Sequence, residues 1–363
     1  MQIAESRTRL YHVDLLKTLA MVLMLMYHGS LFPYDILSAG DRITAVRFFF
    51  RTILSACVPV FFFVNGYLLF DKPLDLKKHT KRLLRFSLVV SVWILLLLGI
   101  MQPVRGEYLS GRQMFDMFWS LQMNWNNHLW YMGVLVCIYL FFPLLKGAFD
   151  GNKTVFYWFT AGSFLLVFGN VALNELTTVA GWVLNRRVVY DDFNFFHILT
   201  PYASGYFGMG LVYFCLGGVA VAVRPRIEAI PAGRRNAAAV LGLVISCALL
   251  GVLGYGYSVL QKQLWDVVWN GYDTVFTACT VLCLFVLSLN WKRDSRILRT
   301  VSANTLGIYL IHDVINRLLR PYFYSLPFLR TVWGTLVYAL VLLTVCTALC
   351  LVMRKIPILR KLI

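Results

Sequence analysis

The first apolar stretch of this chain, VDLLKTLAMVLMLMYHG, carries Asp14, Lys17 and His28. An ionisable group at the centre of a membrane-crossing helix costs about 2.5–3.5 kcal/mol on insertion scales, so each needs a reason. Asp14 and Lys17 are three residues apart, a spacing at which opposite charges pair on a helix. His28 follows Lys17 by eleven residues, close to three turns and about 16 Å along a helix axis, which puts both on roughly one face. An imidazole changes charge near neutral pH and is the natural base for a hydroxyl acceptor. The spacing therefore predicts a basic group at one rim of a buried polar path and a histidine deep within it. The plainer alternatives are a core histidine bonded to a neighbouring helix and a snorkelling lysine.

Further along, DKPLDLKKHTKRLLRF gathers Lys81, Arg82 and Arg85 at the start of another apolar run, where phosphates could dock at a membrane surface. No glycine-rich phosphate loop of the G-x-x-x-x-G-K type accompanies them, which argues against an ATP-hydrolysing engine. NNHLWYMG sets His128, Trp130 and Tyr131 at an outer boundary, within reach of an external acceptor. The two aromatic residues also suit an interfacial belt. In SANTLGIYLIHDVINRLLRP, His312 and Asp313 lie well inside an apolar run that Ser302 and Asn304 could open as a helix start. His312 is read equally as a buried partner or as part of a polar cavity.

Membrane-spanning elements must position these groups. The 363 residues are 59% hydrophobic and only 14% charged, against about 45–50% and 25% in soluble domains. Mean hydropathy is +0.69. This excludes an ordinary soluble enzyme, a disordered chain and a disulfide-stapled module. Ten apolar segments can be drawn, at 15–34, 46–70, 83–104, 128–147, 154–173, 206–224, 236–256, 272–290, 303–323 and 332–353. The longest polar connection, 174–205, carries Asn185, Arg186, Arg187, Asp191 and Asp192, and 111–123 is too short to span and suits an interfacial helix or a re-entrant piece. The fold expected is an all-α, polytopic transmembrane bundle of ten spans, with residues 1–363 forming one domain.

The net charge of +17 would suggest nucleic acid in a soluble chain, but here it is split among short loops. With the N-terminus inside, 23 of the 34 Lys and Arg residues collect on one side, so both termini are expected in the cytoplasm. Lys17 and His28 within the first run argue against a cleaved signal peptide. All eight cysteines lie in apolar runs, which implies no disulfide framework. Cys279/Cys283 and Cys346/Cys350 have no His or carboxylate in register, so packing is the better reading than a metal site.

These motifs, in order, resemble the membrane acyltransferase-3 family of integral membrane O-acyltransferases. The points of likeness are Asp14 with Lys17 and His28 separated by Thr18–Tyr27, then VPVFFFVNGYLL (58–69), KRLLRF (81–86), HLWYMGVLVCIYLFFPLL (128–145) and SANTLGIYLIHDV (302–314). The family commonly has Arg where Lys17 stands and Ser where Asn65 stands. The resemblance covers nearly the whole chain. It implies acyl transfer, acetyl by preference, from cytoplasmic acyl-CoA to an extracytoplasmic acceptor such as a cell-surface glycan. It places His28 and Asp14 in the catalytic set and Lys17, Lys81, Arg82 and Arg85 at the acyl-CoA. His128, Trp130, Tyr131 and His312 fall on the acceptor side. Acyl-CoA would be a co-substrate, with no permanently bound cofactor or metal and no nucleic-acid partner, in a bacterial cytoplasmic membrane. The competing readings are a transporter or flippase of a small polar substrate, and a membrane anchor or sensor.

Overall fold

The computed structural model describes residues 9–30, 32–39, 41–119, 125, 127–184 and 205–363. A helix occupies each of the ten apolar segments: α1 Tyr11–His28, α2 Arg42–Phe70, α3 Leu76–Arg105, α4 Asn127–Gly151 and α5 Lys153–Val183. They continue as α6 Gly205–Ala229, α7 Ala232–Gln261, α8 Val275–Ser288, α9 Arg296–Tyr324 and α10 Val332–Met353. No strand occurs among the described residues. Seven of these helices (α2 to α7 and α10) are long and apolar enough to cross a membrane. The protein is an all-α, multi-helix membrane bundle. Of the other three, α8 is short, and α1 and α9 carry the charged and imidazole side chains on which the site depends.

Side-chain caps set several helix starts, because an oxygen just ahead of a helix satisfies one of its unpaired N–H groups. Asp41 accepts from the Thr44 amide at 2.6 Å, Asp75 from Lys78 at 3.0 Å, and Ser295 from Leu298 at 3.4 Å. The last of these corrects an expectation. Helix α9 begins at Arg296, so Ser302 and Asn304 are buried inside it and do not open it. The charged first turn, RILR, lies outside the apolar run and hides the start from a hydropathy reading.

Helix α1 also departs from the drawn segment. It starts at Tyr11 and stops at His28, where Gly29 closes the last turn by donating to Leu25 O at 2.8 Å. His28 is thus the final residue of the helix. The polar segment 174–205 is shortened as well, since α5 runs on to Val183. Asn185, Arg186, Arg187, Asp191 and Asp192 lie outside the described residues. The stretch expected to be interfacial forms a short helix over Gly111–Trp119 with Phe115 and Trp119 exposed.

Helix α1 sits between α2, α9 and α10 at the centre of the bundle. Close approach of α2 and α6 rests on small residues: a Cβ at Gly66 would strike the Phe214 carbonyl, and one at Gly217 the Phe63 carbonyl. Backbones that approach this tightly gain dispersion contacts that lipid-facing helices need, since burial from lipid supplies no hydrophobic driving force.

Candidate active site

Two cavities occupy the space around α1. The first, of about 710 Å³, is lined from the C-terminal end of α1 (Tyr27, His28), the N-terminal halves of α2 and α4 (Arg51, His128) and the second half of α9 (Asp313, Arg317). The second, of about 270 Å³, lies along the other half of α1 and includes Lys17, Asn65, Arg82, Tyr131 and Thr305. Only Tyr309 lines both. Its ring is buried, and its hydroxyl donates to the His128 carbonyl. Among the described residues these two chambers lie toward opposite ends of α1 and meet at Tyr309.

Lys17 and His28 do share a face of α1, as their three-turn spacing requires. That face meets α9: Lys17 Nζ donates to Ser302 O at 2.5 Å, and the His28 carbonyl accepts from Asn316 Nδ2 at 3.1 Å. The structure then brings together three histidines from three helices. The His28 and His312 rings are 5.1 Å apart between centroids, and His128 lies 5.3 Å from His312. His312 is fully buried, and its Nδ1 stands 2.6 Å from the Tyr309 carbonyl. A carbonyl oxygen can only accept, so the ring proton sits on Nδ1 and Nε2 keeps its lone pair. That Nε2, and Nε2 of His128, are buried with no hydrogen-bond partner among the described residues. His12 and His79 behave differently. His12 Nε2 is 3.3 Å from Tyr67 Oη and His79 Nε2 donates to Tyr139 O at 2.7 Å, so both are satisfied elsewhere in the bundle. His12 and His79 therefore act as packing groups, whereas His28 and His128 each pack against His312 and line the larger cavity.

Other expected site residues fall in different places. Asp14 does not pair with Lys17; Arg9 takes it in a two-pronged contact at 2.6 and 3.1 Å. That carboxylate raises the Arg9 pKa, chiefly through the hydrogen bond. Asp14 lies at the far end of α1 from His28, so the structure does not bring the two together. Arg82 joins Lys17 on the smaller cavity, whereas Arg85 donates to the Lys361 carbonyl at 3.4 Å and Lys81 is exposed. Trp130 lines the large cavity beside His128. Tyr131 was expected on the same side but faces the small one, because successive helix positions diverge by about 100°. Its hydroxyl accepts from Asn65 Nδ2 at 3.0 Å, and Tyr139 donates to Asn65 Oδ1 at 2.8 Å.

Sequence reading passed over the most buried charge in the cavity wall. Arg51 is 2% exposed and pairs with Asp266 at 3.2 Å. Its guanidinium lies 3.5 Å over the Tyr34 ring, and Tyr27 donates to the other Asp266 oxygen at 3.0 Å. This ties α1, α2 and the 262–274 connection into one wall. An arginine inside the apolar segment 46–70 was the available signal; its partner, more than two hundred residues away, was not.

Taken as chemistry, the site is a base cluster with no nucleophilic thiol at its wall, suited to moving a proton off a hydroxyl and set in a membrane bundle with a separate chamber behind it. Those features are compatible with group transfer inside a membrane. The acyltransferase-3 family profile, described as an acyltransferase domain, matches residues 10–355, so the chain belongs to that family and is a membrane acyltransferase. No curated protein and no solved structure matches it.

Proposed function

We propose that this protein moves an acyl group, acetyl by preference, from cytoplasmic acyl-CoA to a hydroxyl of an extracytoplasmic acceptor such as a cell-surface glycan. The observation that carries the proposal is the pair of cavities meeting at Tyr309, one holding Lys17 and Arg82, the other His28 and His128. On this reading all ten helices span a bacterial cytoplasmic membrane, both termini lie in the cytoplasm, and the smaller cavity opens inward. Lys17 and Arg82 then attract the CoA phosphates while the thioester reaches the boundary at Tyr309. Lys81 and Arg85, more distant from that cavity, add to the positive field at the entrance.

The acceptor enters the larger cavity between His128 and Trp130. Its hydroxyl oxygen attacks the thioester carbonyl; the new C–O bond forms as the C–S bond breaks. The hydroxyl proton passes to His28 and from there to the departing CoA sulfur. His312, held as the Nδ1–H tautomer, supplies a neighbouring lone pair that can relay or stabilise that proton. Asp14, far from the transfer point, anchors the inner end of α1 through Arg9. It is assigned no proton-transfer role.

The test is label transfer. Purified full-length protein given radiolabelled acetyl-CoA should release free CoA and label either water-derived acetate or an added glycan fraction. Intact acetyl-CoA after prolonged incubation with membranes that contain the native acceptor would overturn the proposal.

A further inference from the structure

On the proposed orientation, the outer chamber is richer in arginine than a transmembrane topology explains. Basic residues are disfavoured on the outer side, yet Arg51, Arg105, Arg317 and Arg320 all line it. Two are accounted for by carboxylates in the same wall: Arg51 pairs with Asp266 at 3.2 Å and Arg317 with Asp313 at 2.9 Å. These are the acidic groups that face the chamber among the described residues. Arg105 and Arg320 have no carboxylate partner among the described residues. A second recess lined by His28, Asn316 and Tyr324 includes the same Arg105, Arg317 and Arg320. The surplus of positive charge therefore stands beside the histidine at which transfer occurs.

Arg105 invites a simpler explanation, since it ends α3 and a cation there complements the helix dipole. Its geometry goes further. Its guanidinium carbon stands 4.8 Å over the Trp125 ring, and its buried Nε has no hydrogen-bond partner among the described residues. A planar cation held against an aromatic face keeps its remaining N–H groups directed elsewhere, the arrangement that suits bidentate recognition of an oxyanion. Arg320 is one turn beyond Arg317 on α9 and exposed, free to close on the same group.

We infer that the acceptor is anionic: a saccharide whose acylated hydroxyl lies near a carboxylate or phosphate, with Arg105 and Arg320 holding the anion while His28 addresses the hydroxyl. This rests on the larger cavity being the acceptor site. A neutral sugar would leave the exposed Arg320 in water and the buried Nε of Arg105 without a counter-charge, and the second of these is the costly arrangement.

The test uses two isosteric pairs on purified full-length protein in detergent, read as ligand-dependent shifts in melting temperature. Methyl glucuronide is compared with methyl glucoside, and glycerol 3-phosphate with glycerol, so that the two pairs separate a carboxylate from a phosphate requirement. The expected result is an apparent Kd at least roughly tenfold lower for the anion in one or both pairs. That preference should vanish in Arg105→Gln/Arg320→Gln and survive in part in the Lys/Lys double variant. Arg320→Gln alone, at an exposed position, keeps the comparison valid if the double variant folds poorly. Equal shifts for charged and neutral members of both pairs, or an undiminished preference in the Gln variants, would overturn the inference. His28→Ala should retain the anion preference, so failure of acyl transfer and failure of anion binding are read separately.

Discussion

His28→Ala should lower acyl transfer by about 10²- to 10⁴-fold, the usual contribution of a positioned proton acceptor. Acyl-CoA binding and membrane insertion should remain close to wild type. The separation is expected because His28 lines the larger cavity and not the smaller one, where Lys17 and Arg82 lie. His28 ends α1, and although alanine gives up the ring contact with His312, the bond to Asn316 is made by the His28 carbonyl, which alanine keeps. The measurement is single-turnover release of CoA from saturating labelled acetyl-CoA. Wild-type turnover in the alanine variant would remove His28 from the reaction. A loss of acyl-CoA affinity with kcat unchanged would place it in the donor site instead.

The second large effect is expected on the donor side. Lys17→Ala and Arg82→Ala should raise the apparent KM for acyl-CoA, together by roughly tenfold or more, with kcat much less affected. The Arg82 contribution should shrink at higher ionic strength, because Arg82 is exposed and charges are screened within about 8 Å at physiological salt. Lys17 should respond less to salt, being partly buried and tied to the Ser302 carbonyl. Lys17→Arg should be tolerated, since it keeps the charge and adds a second donor fork. Arg85→Ala should change acyl-CoA dependence least, as its guanidinium is already turned to the Lys361 carbonyl. If KM is unchanged in both Lys17→Ala and Arg82→Ala, the smaller cavity is not the donor site and these cations only orient the chain.

The legible and illegible parts of this molecule divide along physical lines. All ten helices could be placed from apolar runs, because the bilayer demands length and hydrophobicity that few soluble segments have. The ends could not. Helix α9 starts in a charged turn capped by Ser295, and α1 stops at Gly29 although apolar residues continue past it. Those ends matter for the site, because they make His28 the last residue of α1, in the wall of the larger chamber. The shared face of Lys17 and His28 was readable, since it depends only on helical period. The meeting of His28, His128 and His312 was not, for it depends on how α1, α4 and α9 pack. The expected Asp14–Lys17 pair fails for a local reason: Arg9, five residues before Asp14 and outside the apolar run, takes the carboxylate instead. Tyr309, the residue common to both chambers, carries no sequence signal that separates it from the other tyrosines of the chain.

The account stands or falls on the two chambers opening to opposite sides of the membrane. Full-length protein is reconstituted into sealed vesicles, and the fraction oriented with its termini inside is established by protease protection of terminal tags. Labelled acetyl-CoA is then enclosed within, with the glycan acceptor supplied only outside. The account predicts labelled acceptor outside and free CoA inside, at rates abolished by His28→Ala and with no label transferred when donor and acceptor are both supplied outside this oriented population. Transfer that requires donor and acceptor on the same face would contradict it.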